Sequence, residues 1–116
     1  MNKILNNKQY DLEDRTFEFA KRIRLIVKVL SRTISNIEEA KQLIRSSGSV
    51  GANYIEANES LSKKDFILRV KICKKEAKES RYWLRLIDTN QDQSLDKERL
   101  VLITEVSELM KIFGSI

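Results

Sequence analysis

The sequence predicts an all-α protein, an up-down-up-down antiparallel four-helix bundle, and three observations support this fold class. The 116 residues include no proline, so no position forces a helix to stop or kink. Charged residues make up 34% of the chain and alternate with apolar residues at the three- and four-residue spacing of a helix face. Four such segments are separated by short polar stretches, and short connections make consecutive helices antiparallel neighbours. We therefore expect one domain over residues 1–116.

The first helix is predicted from about Leu12 to Arg32. Asp11 or Asp14 near its start suits the positive end of a helix dipole. Residues 1–9 show no period, and a loose N-terminal arm is expected there. The inward positions of the helix are Thr16, Phe19, Ala20, Ile23, Ile26, Val27, Leu30 and Ile34.

The second helix is predicted to begin at a capping box, Ser35 to Glu38, in which the serine caps a free N–H and the glutamate reaches back. Apolar and small residues recur along it at helical spacing, which predicts a buried face. That face consists of Ile37, Ala40, Leu43, Ile44, Ser47, Val50, Gly51, Tyr54, Ile55 and Asn58.

The third and fourth helices have similar signals. Ser62 and Asp65 form a weaker cap before a stripe of Phe66, Val70, Cys73, Ala77, Ser80, Leu84 and Ile87. After a polar loop, Ser94 or Asp96 is expected to cap helix four, and Gly114 to end it. The stripe of helix four is Leu100, Ile103, Val106, Met110 and Phe113, widened by Leu102 and Leu109.

Two of the three glycines lie inside helix two, where each costs about 0.5–1 kcal/mol relative to alanine. Close approach of a neighbouring backbone would offset that cost. Helices two and three are expected to pair antiparallel about the turn near Leu61. Because both rise equally per residue, residues whose numbers sum to about 123 lie at the same height along the bundle. Gly51 then faces the level of Cys73, and Gly48 faces that of Ala77. The residues predicted to pack helices two and three closely are Ser47, Gly48, Gly51, Ala52, Cys73 and Ala77.

Positive charge is concentrated on helix three. Residues 63–85 carry nine basic and three acidic residues, a net charge of +6, whereas the whole chain carries +5. The basic stripe, as we call it, consists of Lys64, Lys71, Lys74, Lys75, Lys78, Arg81 and Arg85. It extends over about 32 Å of helix and suits a nucleic-acid backbone or another acidic partner. The alternative is an ordinary solvated face, although such a face usually mixes charge signs.

Five polar residues are expected to link helices two and three. By the same pairing of heights, Arg45 is expected near Glu79 and Glu56 near Arg69. Asn53 is expected at the inner edge of helix two. Such groups usually satisfy one another or fix register. Glu56 as a catalytic acid ranks lower, because no partner base is evident.

Missing residue types exclude several site chemistries. Without histidine, a His general base, a Ser-His pair and an imidazole metal ligand are excluded within this sequence. One cysteine and no histidine leave no zinc site in one chain, and no phosphate-binding loop occurs. We expect no catalytic, cofactor or metal residues. Cys73 is interpreted as a small buried hydrophobe, and the lone cysteine, with no apolar span or signal segment, favours a cytoplasmic protein without membrane contact.

The stretches Arg45–Asn58, Ser62–Phe66 and Lys75–Leu84 resemble the bacterial proteins of the 23S rRNA intervening-sequence family, often labelled S23 ribosomal proteins. The resemblance extends over nearly the whole chain from Tyr10 and is weakest in helix four. It implies a four-helix bundle that assembles into a barrel-like homopentamer. The family name reflects gene location within 23S rRNA genes. A distant relative in fold, the accessory protein of diversity-generating retroelements, is a basic pentamer that binds nucleic acid.

Together these observations predict a non-enzymatic oligomer associated with RNA or other nucleic acid through the basic stripe. The alternative is a structural or protein-interaction module without a nucleic-acid role. Apolar residues beyond the four core stripes favour self-association, because a monomer would expose them. These residues are Phe17, Leu25, Val29, Ile72, Trp83, Leu102 and Leu109.

Overall fold

Four helices form the chain in the computed structural model, which describes the backbone from residue 3 and the side chains from residue 12. They are α1 (Lys3–Val29), α2 (Ile34–Asn58), α3 (Lys63–Leu86) and α4 (Gln93–Ser115). Each helix packs against two others, in the pairs α1–α2, α2–α3, α3–α4 and α1–α4, and no Cα atoms of the diagonal pairs come within 8 Å in the described residues. The predicted all-α four-helix bundle is confirmed. The loose arm predicted over residues 1–9 is wrong for residues 3–9, which belong to α1, so the helix begins before its predicted start at Leu12. Residues 1 and 2 lie outside the described part.

The start of α2 differs from the prediction. Thr33 is the N-cap, with extended backbone angles of φ −80° and ψ 162°, and its hydroxyl accepts a hydrogen bond from the Asn36 backbone N–H at 3.1 Å. The predicted capping box from Ser35 to Glu38 is therefore wrong, because Ser35 already lies within the helix. The earlier start also ends α1 at Val29, before the expected Arg32.

Of the other two predicted N-caps, that of α3 is confirmed and that of α4 is wrong. Ser62 caps α3 as predicted, accepting from the Asp65 backbone N–H at 3.1 Å. Asp92 caps α4, accepting from the backbone N–H groups of Ser94 and Leu95, so the predicted caps at Ser94 and Asp96 are wrong. The helix also continues through Gly114 to Ser115, which corrects the predicted terminator.

The core runs along the axis of the bundle and receives side chains from all four helices. Leu102 and Leu109, expected only to widen the stripe of α4, are fully buried, whereas Leu100 is 63% exposed. The buried apolar residues with no more than 2% exposure are Phe19, Ile23, Ile26, Leu43, Val50, Ala57, Cys73, Ala77, Leu84, Ile87, Leu102, Val106 and Leu109. Burial raises the pKa of the Cys73 thiol to about 12, so it stays protonated at neutral pH and packs as a small hydrophobe.

Asn36 ties the two loops at one end of the bundle together. Its Nδ2 donates to the carbonyl oxygens of Ser31 at 3.0 Å and Asp88 at 2.9 Å. The Asp88 backbone N–H donates in return to Asn36 Oδ1 at 2.9 Å. The side chain is only 2% exposed. The α1–α2 turn and the α3–α4 loop are thus held in one position by a single amide.

The α1–α4 contact closes the bundle and, among the residues that the structure describes, is the least extensive of the four helix–helix contacts. Two arginines of α1 reach glutamates of α4 across it. Arg15 Nη2 lies 2.8 Å from Glu105 Oε1, and Arg22 Nη2 lies 2.7 Å from Glu98 Oε1. Each arginine also donates through Nε to the second oxygen of the same carboxylate, so both pairs are bidentate.

Candidate nucleic-acid interface

Seven positions on the outer face of α3 follow one another at alternating intervals of four and three residues. Their side chains therefore form one row along the helix. Every position in the row is exposed. Within the part of the chain that the structure describes, no carboxylate oxygen lies within 4 Å of its basic nitrogens. This basic row, as we call it, consists of Lys64, Leu68, Lys71, Lys75, Lys78, Tyr82 and Arg85.

Two members of the basic stripe lean towards α4. Arg81 Nη1 donates to Ser107 Oγ at 3.2 Å. The Lys74 ammonium lies above the last turn of α4, since a Cβ placed on Gly114 would be 3.1 Å from Lys74 Nζ. Together with Lys111, these two cations line an open groove of about 460 Å³ between α3 and α4. The positive surface therefore extends sideways from the outer face of α3.

The acidic residues Glu76 and Glu79 of α3 are turned away from this surface. Arg45 of α2 contacts both, with Nη2 at 2.5 Å from Glu79 Oε2 and Nη1 at 3.4 Å from Glu76 Oε1. The pKa of Glu79 is lowered, first by the hydrogen bond from the Trp83 indole N–H and then by Arg45. These contacts hold both carboxylates on the α2 side, so the outer face keeps a single sign of charge.

The predicted Glu56–Arg69 pair does not form. Arg69 Nη1 donates instead to Asn53 Oδ1 at 3.1 Å, and Asn53 Nδ2 donates to the Ser49 carbonyl at 2.9 Å. Glu56 is exposed. The helical position explains the error, because Asn53 projects towards α3, whereas Glu56 lies further round α2 on its solvent side. Asn53 and Arg69 link the helices, and Glu56 has no part in that link.

The glycines do not face α3 as predicted. A Cβ on Gly51 would lie 2.9 Å from Thr16 Oγ1 and 3.2 Å from Thr16 Cβ, so its close neighbour is α1. At Gly48, no described atom of another helix lies within 4 Å of the position that a Cβ would take. Small residues do meet between α2 and α3, but through Ser46 and Ser80, whose hydroxyl oxygens are 2.9 Å apart. The apolar arc of α2 covers two helix contacts, and spacing alone could not divide it between them.

The remaining members of the predicted packing set lie in different parts of the bundle. Cys73 and Ala77 are fully buried in the core, and Ser47 is 1% exposed. Ala52 is exposed and lines the α1–α2 side. The set therefore does not form one contact between α2 and α3.

An apolar groove along the α1–α2 seam was not predicted from the sequence. It has a volume of about 370 Å³, and its walls include Phe17, Ile44, Gly48, Ala52 and Ile55. Phe17 is 64% exposed, and both isoleucines are exposed as well. The signal for this groove in the sequence is the recurrence of small and apolar residues along this side of α2, a pattern that equally predicts a face of the protein's own core.

Comparison with known proteins places this arrangement in a family. The family model described as 23S rRNA-intervening sequence protein matches residues 8–115, almost the entire chain. The chain belongs to this family. None of the curated proteins compared matches the sequence.

A solved member of the S23 ribosomal protein family has the same architecture. It is a protein of unknown function from Bacteroides thetaiotaomicron, known from a crystal structure. The two chains are 32% identical and superpose with a TM-score of 0.77, covering 90% of this chain and 95% of the other. The predicted membership of the 23S rRNA intervening-sequence family is thus confirmed by sequence and by fold.

In the present chain, the described residues contain no group of three or more Cys, Asp or Glu residues arranged to hold a metal ion. Within the same residues, no helix combines the length and the apolar character needed to cross a bilayer. The features that stand out are therefore a row of exposed cations and an apolar groove.

Proposed function

We propose that this member of the 23S rRNA intervening-sequence family is a non-enzymatic, cytoplasmic homo-oligomer that binds RNA or other nucleic acid through the basic stripe of α3. The observation that supports the nucleic-acid role is the single sign of charge on the outer face. Arg45 holds Glu76 and Glu79 on the α2 side of this face, and among the described residues no carboxylate oxygen lies within 4 Å of the lysines of the row. A face that served only solubility would gain nothing from this separation of signs.

The geometry of the row suits a phosphate backbone. Its five basic residues follow one side of a helix over about 32 Å, so a strand lying along α3 could contact each in turn. Neutralising about five phosphates of a single strand predicts a slope near −3 to −4 when the logarithm of affinity is plotted against that of salt concentration. A protein that does not bind RNA through these cations shows no such slope.

Charge reversal tests this proposal. Replacing Lys71, Lys75 and Lys78 by glutamate should leave the helical content unchanged, because all three side chains are exposed. The loss of three of five phosphate contacts, together with repulsion, should weaken RNA binding by more than about a hundredfold and flatten the salt dependence. Fluorescence anisotropy with a labelled RNA at several salt concentrations measures both quantities.

The matched control reverses three exposed lysines elsewhere, Lys21, Lys28 and Lys97, which changes the net charge equally. It should retain most of the affinity and nearly the full slope. Equal losses in both triple variants would assign binding to net charge alone. No measurable affinity in the wild type would remove the nucleic-acid role and leave the interaction module.

The α1–α2 groove supports the self-association part of the proposal. Gly48 lies in the interior of a helix, where it costs about 0.5–1 kcal/mol, yet no neighbouring helix approaches it within the described residues. A second chain packed closely on the groove would account for the glycine and would bury Phe17, Ile44 and Ile55. Cyclic symmetry would close such a contact. The number of five subunits comes from the family resemblance.

Light scattering should give several times the 13.6 kDa chain mass, nearest to five copies. Gly48→Leu should reduce that mass at micromolar concentration, because the added side chain projects into the groove, while circular dichroism remains that of a folded bundle. Gln42→Leu, at an exposed position on the α3 side of the same helix, should keep the wild-type mass. A wild-type monomer, or an unchanged mass for Gly48→Leu, would contradict the assignment of the groove.

The second candidate is a structural or protein-interaction module without a nucleic-acid role. The same apolar groove favours it, since a groove of this kind also accommodates an apolar segment of another protein. The salt-dependence measurement separates the two candidates. A module of this class would assemble or bind protein normally while RNA affinity stayed absent at low salt.

A further inference from the structure

An exposed aromatic residue lies within the basic row, near its C-terminal end. Tyr82 follows Lys78 by four residues and precedes Arg85 by three, so one cation lies on each side of it along the helix. The tyrosine is 54% exposed. The core of the bundle therefore does not account for its presence at this position.

Neighbouring side chains support the tyrosine ring. Tyr82 meets Trp83 edge to face, with ring centroids 4.9 Å apart and planes inclined at 76°. Trp83 Nε1 donates to Glu79 Oε2 at 3.0 Å, and Arg45 holds that same carboxylate oxygen at 2.5 Å. The Tyr82 ring thus rests on Trp83, which is itself held by the Glu79–Arg45 salt bridge between α3 and α2. A supported ring loses less conformational freedom when a ligand stacks on it.

Single-stranded and double-stranded nucleic acids differ in what they can offer this ring. Bases in a duplex are stacked on one another, whereas unpaired bases can stack on aromatic side chains. A positively charged track with an aromatic platform is the usual combination in proteins that bind single strands. A protein partner is less suited to the site, because burying Tyr82 against an apolar surface would also desolvate the charges of Lys78 and Arg85.

We propose that the basic row binds single-stranded nucleic acid, with one base stacked on Tyr82 and the adjoining phosphates held by Lys78 and Arg85. This inference rests on the proposed nucleic-acid role and makes it more specific. Tyr82 distinguishes single strands from duplexes, whereas the lysines attract either. Base identity is not read, because every base has a face that can stack.

The test compares a labelled oligouridine of about 12 nucleotides with an RNA duplex of the same length, a size within the range bound by single-strand modules. Tyr82→Ala should weaken binding of the oligouridine by about 5- to 150-fold, the range that base stacking supplies. Its salt slope should stay unchanged, because no cation is removed, and its duplex affinity should stay within about twofold. Tyr82→Phe keeps the ring and should bind like the wild type.

Leu68→Ala is the matched control, since Leu68 is exposed on the same row and has no aromatic ring. It should bind oligouridine like the wild type. Trp83 is the sole tryptophan and touches Tyr82, so its emission should change when oligouridine binds and stay constant with the duplex. At saturating ligand this signal reports a change around the Tyr82–Trp83 pair, whatever the affinity.

The possible results separate the two levels of the proposal. If neither nucleic acid binds the wild-type protein, the proposed function fails. If oligouridine binds with the expected salt slope and Tyr82→Ala binds it equally well, the stacking inference alone is overturned. A preference for the duplex, or equal losses for both nucleic acids in Tyr82→Ala, overturns it as well.

Discussion

Replacing Asn36 by leucine should lower the free energy of unfolding by about 2–4 kcal/mol, although the two side chains are similar in size. The substitution removes three hydrogen bonds at once. It also leaves the Ser31 carbonyl and both backbone groups of Asp88 without that partner, and the desolvation of unpaired polar groups is the larger part of the loss. Urea denaturation followed by circular dichroism measures the change.

The control for this prediction is Ser35→Ala. Ser35 is exposed within the first turn of α2, and its hydroxyl is 3.4 Å from that of Thr33, so its loss should change stability by less than about 0.5 kcal/mol. Both variants are compared at one protomer concentration, because assembly adds to apparent stability. Similar stabilities of the two variants would show that the tie between the loops contributes little.

Gly51→Leu should destabilise the protein by about 1–3 kcal/mol through overpacking. A Cβ alone would lie 2.9 Å from Thr16 Oγ1, so α1 and α2 must separate before a larger side chain fits. Thermal unfolding detects this loss. The sequence pattern had placed the close approach at α3, and the variant should instead disturb the α1 side.

A double-mutant cycle tests that assignment. Gly51→Ala is measured in the wild type and in a Thr16→Ala background, where the hydroxyl that the new methyl group would approach is absent. The cost of Gly51→Ala should be smaller in that background by about 0.5 kcal/mol or more, the size expected for residues in contact. Additive effects would mean that the Thr16 hydroxyl does not limit the space at Gly51.

The register between α2 and α3 could be predicted from the sequence. Equal rise on antiparallel helices placed Arg45 level with Glu79, and these residues are in contact. The same rule fits the contact of Arg69 with Asn53, even though Glu56 had been chosen as the partner. Level along a helix follows from residue number, whereas direction around it depends on how far each helix is rotated.

Rotation explains the errors in the α2 face. The sequence pattern predicts Ile37, Ile44 and Ile55 inside, but all three are exposed. Their spacing shows that the face is apolar without showing whether the same chain or another one covers it. The outer position of the basic stripe was predictable, because it lies opposite the buried positions of α3. Its freedom from ion pairs within the described residues was not, since that depends on Arg45 holding Glu76 and Glu79.

Cap positions were unpredictable for a different reason. Thr33 and Ser35 have equally suitable side chains for the start of α2, as do Asp92 and Ser94 for α4. The N-cap is the residue whose backbone is extended, and which residue that is depends on where the preceding helix or loop ends. Ser62 was correctly assigned, and it is the residue immediately before the helix.

The α1–α4 contact has a consequence for the folding kinetics. Its two bidentate pairs join residues 90 and 76 positions apart, whereas the other helix contacts join neighbours in sequence. Helices that are neighbours in sequence close only short loops and can pack together early. We therefore expect α1 and α4 to meet last, when the earlier contacts have already reduced the chain entropy. In the reverse direction we expect this seam to open first, at a rate that its ion pairs make sensitive to salt.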